Sequence, residues 1–494
     1  MDSRSYIAVD LGAESGRVML GEVSDEEMNL REVHRFANEP VTEDGLLRWD
    51  FPALLSEIKT GIGQAASQAE HRVAGIGIDS WGVDFGLIDS SGELVEKPWH
   101  YRDPNRHEMR DEAFKTMPSR ELYQHSGVQL MPINGLYQLM YLQRNRPEAL
   151  ERADRLIMIA DLFSYYLCGH PYSEYTIAST SQMLDMRTGE WSREVLETFD
   201  LPVDIMPDVV DSGTMVGELT ADVAREIGCD RLPVIATASH DTGSAVAAIP
   251  AMAEEWGYIS SGTWSIQGVE LDDVEISDAS FRYGFGNEGG VEGTIRFLKN
   301  IMGLWLLQEC RRTWEDEDDT ELSYEQLQDM AEQAEPFPAF MDADHEEFLA
   351  PGDMPSRINE YLENTGQDPI QDRGSMSRLI LESLGFKYRS VLEQIHEVAG
   401  TQPEVLHIVG GGTQNELLNQ LAADATGMPV VIGPVEATAM GNVMMQAIGT
   451  GQISSLSDGR ELIRRSADTT RYEPQNVELW EEKYEQYRDV TGIT

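Results

Sequence analysis

The sequence predicts an α/β protein of two domains, and three observations carry that prediction. At 494 residues the chain is too long for one ordinary hydrophobic core. Apolar strand text alternates with helical text along most of its length, as in layered α/β folds. One strand-turn-strand pattern occurs twice, at Tyr6–Val23 and again at Tyr258–Gly268, each with small residues between two apolar runs.

The first hairpin runs through Tyr6-Ile-Ala-Val-Asp10 into a turn of Gly12, Ala13, Glu14, Ser15 and Gly16, and leaves along Arg17–Val23. Glycines bring backbone N–H groups close to a ligand and a small hydroxyl adds a donor, so such a turn suits phosphate oxygens. Asp10, at the end of the strand, is placed to hold a hydrated metal ion. A plain surface hairpin with Asp10 as a turn former explains the stretch equally well when it stands alone. Its recurrence as Ser261-Gly262-Thr263-Trp264-Ser265 points instead to a nucleotide held between two related halves.

Phe51–Gln68 has helical periodicity, and Val73–Asp79 reads as a buried strand ending on an acid. Beyond it, Ser80-Trp81-Gly82-Val83-Asp84-Phe85 combines an aromatic wall with a close backbone approach, with Asp84 expected near the hydroxyls of a polyol. Trp81 as ordinary core is the competing reading. Helical text follows to Leu150 with a break at Gln129–Asn134, a strand-to-helix step starts at Leu156–Asp161, and Tyr175–Gln182 is a hydroxyl-rich turn. Pro233–Val246 is a strand leading into Ser239-His240-Asp241-Thr242-Gly243, where Asp241 is placed as a general base toward a substrate hydroxyl. A helix cap at Asp241 or Thr242 needs no chemistry.

In the second half, Arg296–Gln308 reads as a helix whose start carries Lys299 and Asn300. Trp314–Ala334 reads as a solvated acidic helical run and Pro336–Pro355 as a loop. A long helix over Ser375–Val398 precedes Val405–Val409 and the triplet Gly410-Gly411-Gly412, a second place where backbone approaches a ligand closely. The tail from Arg471 to Thr494 reads as helical. Gly284–Gly289 matches GxGxxG, but no βαβ unit surrounds it.

The composition is 41% hydrophobic, with 87 Asp and Glu against 37 Lys and Arg and a formal net charge of −50. Lysine occurs only six times. Such a chain repels nucleic acid and anionic membranes. Its self-repulsion becomes tolerable in concentrated salt, where the Debye length is about 3 Å at 1 M, so a salt-adapted source is expected. An unusually acidic enzyme of ordinary cytoplasm is the rival explanation. The start Met1-Asp2-Ser3-Arg4-Ser5 has no signal-peptide character, and no apolar run is long enough to span a bilayer, so a cytoplasmic location is expected. The three cysteines, Cys168, Cys229 and Cys310, show no metal-ligand spacing. Gly-Lys occurs nowhere, which excludes a Walker A loop, and HExxH is absent.

Taken together, AVDLGAESGRVML from Ala8, GIDSWGVDF from Gly77, ASHDTGSAV from Ala238, SSGTWS from Ser260, NEGG from Asn287, RFLKNIMGLWLLQ from Arg296 and LHIVGGGTQNELLNQLAADATG from Leu406 resemble sugar kinases of the FGGY family, within the actin-like ATPase superfamily. The resemblance covers nearly the whole chain. It implies an α/β fold of two actin-like (ribonuclease H-like) domains, 1–245 and 246–494, with an ATP and sugar cleft between them. It implies ATP and Mg²⁺, with Ala13, Glu14, Ser15, Gly16 and Arg17 on the phosphates, Thr263 facing the γ-phosphate, and Gln308 and Gly411 on the nucleotide. Gly82, His240, Asp241, Thr242 and Asn300 would bind the ketose, Asp241 would accept the proton, Asp10 would place Mg²⁺ through water, and Trp81 is a candidate wall against the sugar carbons. The TrpGlyValAspPhe and SerHisAspThr segments imply L-rhamnulose, phosphorylated at the 1-hydroxyl. L-fuculose, xylulose and ribulose are the neighbouring alternatives, and an actin-like ATP-driven switch without a sugar substrate is the alternative of another class. The expected partners are a small-molecule ketose and, at most, further copies in a small homo-oligomer, with neither nucleic acid nor membrane.

Overall fold

The computed structural model describes residues 3–104 and 107–493. The leader reading at Met1-Asp2 and the helical reading at Thr494 therefore lie outside the described residues. The chain divides into two compact units. The first comprises Met1–Pro250, Glu270–Phe297 and Glu436–Ala467; the second comprises Ala251–Val269, Leu298–Val435 and Asp468–Thr494.

In the first unit, β1 (Arg4–Leu11), β2 (Ser15–Val23), β3 (Met28–Ala37), β4 (Val73–Ser80), β5 (Thr214–Glu218) and β6 (Pro233–Ala236) form a six-stranded sheet of order β5-β6-β4-β1-β2-β3. The β1–β2 hairpin is antiparallel, whereas β1 runs parallel to β4 with Asp10 opposite Asp79. Parallel pairing brings both strand ends to one edge, so two acids sixty-odd positions apart in the chain become neighbours. Every residue of β1 from Ser5 to Leu11 is buried, and each of its large apolar side chains contributes about 1.5–3 kcal/mol of burial free energy. Helix α1 (Phe51–Gln68) has Pro52 in its first turn and turns Leu54, Ile58, Ile62 and Ala65 into the core. Helix α2 (Ile159–Cys168) follows a strand and stops at Gly169, whose φ of +78° suits glycine. Helix α3 (Asp241–Ala247) starts five residues after β6 ends.

In the second unit, β7 (Gly257–Ser261), β8 (Trp264–Leu271), β9 (Ile295–Met302), β10 (Leu406–Val409), β11 (Val430–Ile432) and β12 (Thr470–Tyr472) follow the order β9-β8-β7-β10-β11-β12. The last residues of β8 and the first of β9 count with the first unit. Helix α4 (Trp305–Asp318) follows β9. Helix α5 (Arg373–Ala399) is capped by Asp372, which accepts from the Ser375 N–H, and ends at Gly400. It packs on α6 (Glu416–Thr426) at Gly385, where an added Cβ would lie 3.1 Å from the Leu421 carbonyl oxygen. Helix α7 (Ala437–Gly449) belongs to the first unit and lies on β1 and β4.

The structure corrects the expected helix over Arg296–Gln308. Residues 295–302 are strand and the helix starts only at Trp305. The interruption is Gly303, which sits against the hairpin backbone: an added Cβ there would lie 2.7 Å from the Trp264 carbonyl carbon. Apolar residues on consecutive positions of a buried strand mimic a helical stripe, and periodicity alone does not separate them. Two smaller corrections concern the tail, which begins with β12 before the helix Val477–Thr491, and Tyr175–Ser179, which is a short helix.

Candidate active site

The first hairpin turn is braced from inside. The Gly12 N–H donates to the Ser15 carbonyl at 2.9 Å, the Asn38 N–H to the Glu14 carbonyl at 3.0 Å, and the Asn38 side chain to the Gly12 carbonyl at 2.9 Å. At Gly16 a Cβ would meet the Phe36 ring at 2.4 Å, so glycine is required there by packing. Glu14 is exposed, and Ala13 and Ser15 are half-buried. Arg17 is held at both ends: one Nη donates to Asp10 Oδ2 at 2.5 Å and the other to Glu436 Oε2 at 2.6 Å.

Asp10 is one of three carboxylates gathered at this sheet edge with Asp79 and Asp241. Burial pushes the Asp10 carboxyl up while Arg17 opposes it and Asp241 adds to the rise. Asp79 is fully buried and pushed well up, first by burial and then by the charge of Asp10. Asn442 on α7 donates to Asp79 Oδ2 at 2.6 Å, and Gln446 one turn later donates to the Ile7 carbonyl at 3.1 Å and to Asn442 at 2.7 Å. That polar ladder exists because the strand beneath it is bare. At Gly75 and Gly77 a Cβ would meet the Gln446 and Asn442 side chains at under 3 Å. Helix α7 meets α3 with equal closeness, since a Cβ on Gly441 would lie 1.9 Å from the Ser244 carbonyl oxygen.

The segment Ser239–Thr242 is tied down by two buried acids that sequence reasoning did not single out. Glu174 Oε2 accepts from the N–H groups of Thr176, Ile177 and Ser239 and from the Thr176 hydroxyl, and its other oxygen accepts from the Ser212 hydroxyl at 2.5 Å. Asp161 accepts from the Ser239 hydroxyl at 2.9 Å and from the Glu174 N–H at 2.7 Å. Burial raises both carboxyls, that of Asp161 well above the usual range. The Thr176 hydroxyl in turn accepts from the His240 N–H at 3.1 Å. The Asp241 side chain, one-third exposed, starts α3 and accepts from the Thr242 N–H at 2.5 Å and the Thr242 hydroxyl at 3.1 Å. His240 is buried beside Glu288 and Arg296, two further residues that sequence reasoning passed over.

Gly82 lies against Thr180, where a Cβ would come within 2.9 Å of the threonine methyl. The next residue, Val83, has φ of +68°, an outlying conformation for a β-branched side chain, and is pinned by its N–H to the Thr180 hydroxyl at 2.8 Å. Asp84 does not face a polyol site. It is fully buried, and its Oδ2 accepts from the Trp49 indole at 2.6 Å, the Trp81 indole at 3.1 Å and the Tyr101 N–H at 3.2 Å. Trp81 is 6% exposed and lies 4.0 Å from Trp49 between ring centroids, in an aromatic cluster that continues to His100.

In the second unit, the Gly262 N–H donates to the Trp264 carbonyl at 2.8 Å, and the Thr263 carbonyl accepts from Gly303 and Trp305, both at 3.1 Å. The glycine triplet divides its labour. Gly410 and Gly412 are forced by Ser261, whose atoms a Cβ would approach to 2.7 and 2.1 Å, whereas Gly411 is exposed and a Cβ there meets nothing within 4 Å. Gln308 is half-buried on the first turn of α4. Asn300 is half-buried on β9, next to Lys299, whose ammonium is brought down to about 8 by burial and by Lys387.

The structure thus brings Asp10, Arg17, Gly82, His240, Asp241 and Thr242 together in one unit, and Thr263, Asn300, Gln308 and Gly411 lie in the other. Asp79 carried a legible signal, an acid closing a buried strand. Glu174, Glu288, Arg296 and Glu436 each reach a site residue far along the chain, Ser239, His240, His240 and Arg17 respectively, and carried none. Among the described residues no group of three or more His, Cys, Asp or Glu side chains is arranged to hold a metal, and no helix is long and apolar enough to cross a membrane.

Comparison with known proteins adds the following. The family model described as "FGGY family of carbohydrate kinases, N-terminal domain" matches residues 5–248, and its C-terminal counterpart matches residues 257–450. The rhamnulokinase of Bacteroides thetaiotaomicron is 43% identical over 486 residues, 98% of this chain and 99% of its own. Those of Enterococcus faecalis and Bacillus subtilis are 36% and 34% identical, each over at least 96% of both chains. Among solved structures, the gluconate kinase of Lactobacillus acidophilus superposes with a TM-score of 0.81 at 16% identity, covering 99% of this chain and 98% of that one. The glycerol kinase of Plasmodium falciparum, solved with ADP, superposes with a TM-score of 0.78 at 15% identity, covering 98% and 97%. At such identities these structures speak for the fold alone.

Proposed function

This chain belongs to the FGGY family of carbohydrate kinases, and from that premise we propose that it transfers the γ-phosphoryl group of ATP to the 1-hydroxyl of L-rhamnulose, giving L-rhamnulose 1-phosphate and ADP. The sugar rests on near full-length identity to enzymes named rhamnulokinase. The chemistry rests on one observation: Asp241 is a partly exposed carboxylate, fixed by Thr242, at the first residue of helix α3.

In this reading Asp241 takes the proton of the 1-hydroxyl as its oxygen bonds to the γ-phosphorus and the bond from that phosphorus to the bridging oxygen of ADP breaks. Phosphoryl transfer asks the protein mainly for positioning and charge stabilisation. The backbone of Ala13–Gly16 and the Arg17 side chain serve the phosphates in the first unit, and Thr263, Gln308 and Gly411 serve the nucleotide in the second. Gly82, His240, Thr242 and Asn300 hold the ketose. Glu174 and Asp161 keep Ser239 in place, and Glu174 steadies the His240 N–H through the Thr176 hydroxyl. Trp81 contributes a flat wall, stiffened by Trp49 and Asp84, against the sugar carbons.

The residues present fit Mg²⁺. That ion is usually held by one or two carboxylates, with phosphates and water completing its shell, so a site built on Asp10 needs no third protein ligand. Bound Mg²⁺ supplies neutralisation of phosphate charge and favours the ionised form of the buried Asp10. Arg17 orients that carboxylate from the side.

The large acidic excess is assigned to function in concentrated salt, and the location to the cytoplasm. ADP release from ATP and Mg²⁺ at high KCl, with L-rhamnulose compared with L-fuculose, D-xylulose, L-ribulose and no sugar, tests the proposal. Turnover dependent on L-rhamnulose is expected. Preference for another ketose would overturn the substrate, and sugar-independent hydrolysis alone would overturn the kinase reading.

A further inference from the structure

We propose that Arg296 is a positioning residue that holds His240 as the neutral tautomer with its proton on Nε2, making the ring a hydrogen-bond donor beside Asp241, while Glu288 balances the charge of Arg296. The consequence for the sugar rests on the reading of His240 given above; the tautomer itself does not.

Arg296 is wholly buried on β9. Its Nε donates to the Gly289 carbonyl at 2.8 Å, and one Nη stands 3.1 Å from His240 Nδ1 and 3.0 Å from Glu288 Oε2. A guanidinium has donors only and keeps its proton in proteins. The one bond it can make to Nδ1 therefore uses the nitrogen lone pair. A neutral ring whose Nδ1 accepts must carry its hydrogen on Nε2. That nitrogen stands 3.4 Å from Asp241 Oδ1.

Glu288 creates the competition. Its Oε2 is 3.3 Å from His240 Nδ1, and an Nδ1–H pointing at it would reverse the tautomer. Geometry favours Arg296: Glu288 Oε2 makes a close charge contact with the ring without an aligned hydrogen bond. What Glu288 does is balance the guanidinium. A buried Arg296 without its carboxylate would be an uncompensated charge pressed against the imidazole. Burial pushes the Glu288 carboxyl up, but the charge of Arg296 opposes it, and the group lies below the usual value.

The roles at the reacting end then separate. With its free lone pair turned toward Arg296, His240 offers Nε2–H to a sugar oxygen and takes no proton from the 1-hydroxyl, which leaves that proton to Asp241. Loss of Arg296 frees Nδ1 to donate to Glu288 and turns Nε2 into an acceptor.

The test uses the full-length protein labelled with ¹⁵N-histidine; the chain has ten histidines, and the His240 signals are those lost in His240→Gln. Nitrogen shifts at neutral pH separate the two neutral tautomers from the doubly protonated ring. A neutral Nε2–H ring is expected in the unaltered protein, in Arg296→Lys, where an ammonium still donates, and in Glu288→Gln, where the competing acceptor charge is gone. Arg296→Met is expected to move the proton to Nδ1 and to raise the KM for the ketose by about ten- to hundredfold, with the KM for ATP nearly unchanged. An Nδ1–H or doubly protonated His240 in the unaltered protein overturns the proposal, as does an unchanged His240 spectrum in Arg296→Met. Should Arg296→Met fail to fold, the unaltered protein and Glu288→Gln decide the matter. Should another ketose prove to be the substrate, the tautomer assignment stands or falls separately by its own spectrum.

Discussion

Asp241→Asn separates catalysis from structure. The substitution keeps the outline of the side chain and an oxygen able to accept from the Thr242 N–H and hydroxyl, at 2.5 and 3.1 Å in the native arrangement, so the start of α3 survives. What the amide lacks is a place for the proton of the sugar hydroxyl. Losing a positioned general base costs about 10²–10⁴ in rate. At 1.36 kcal/mol per tenfold, that is roughly 2.7–5.4 kcal/mol added to the barrier. Stability should move the other way, because Asp241 raises the carboxyls of both Asp10 and Asp79, and removing its charge relieves that crowding. The assay is ADP release with saturating Mg-ATP and ketose, paired with a thermal melt of the same preparation. Turnover within about tenfold of the unaltered protein, with the melt unchanged, would refute Asp241 as the base.

Asp79→Asn tests the buried pair at the sheet edge. The folded pKa of Asp79 lies above its unfolded value, so its contribution to stability is full below the unfolded pKa and is lost as pH rises through the folded one. The variant should therefore gain more in Tm at mildly alkaline pH than in acid buffer, and an equal gain at both would count against this account. Glu174→Ala strips the acceptor from the buried N–H groups of Thr176, Ile177 and Ser239 and should cost about 3–5 kcal/mol, read from denaturant unfolding; a loss under about 1 kcal/mol would show that the segment holds itself. Gly441→Ala drives a methyl group into the Ser244 carbonyl and should destabilise by about 3 kcal/mol, whereas a native melting curve would mean that α7 can shift without penalty. Raising KCl should raise both the melting temperature and the turnover, and full activity with a full melting transition in dilute buffer would end the salt-adaptation reading.

The sequence by itself determined the class of the fold, both hairpins and the strand-to-helix step through Ser239–Thr242, because each is local: glycines, small hydroxyls and an acid beside a strand announce their geometry within a few positions. It determined α1 to the residue, since an amphipathic stripe on a surface helix has a readable period. The same rule failed over Arg296–Met302, where a strand with nearly every side chain buried has no period to read. Only the tertiary structure decided what each polar group does. Asp84 was legible as a candidate for sugar hydroxyls, yet N–H donors from Trp49 and Tyr101, with that of nearby Trp81, make it an internal brace. Glu174, Glu288, Arg296 and Glu436 gave no local signal, and each acts on a residue between twenty and several hundred positions away. A buried charge must find its partner through space, and the partner's distance along the chain carries no cost once the sheet has brought them together.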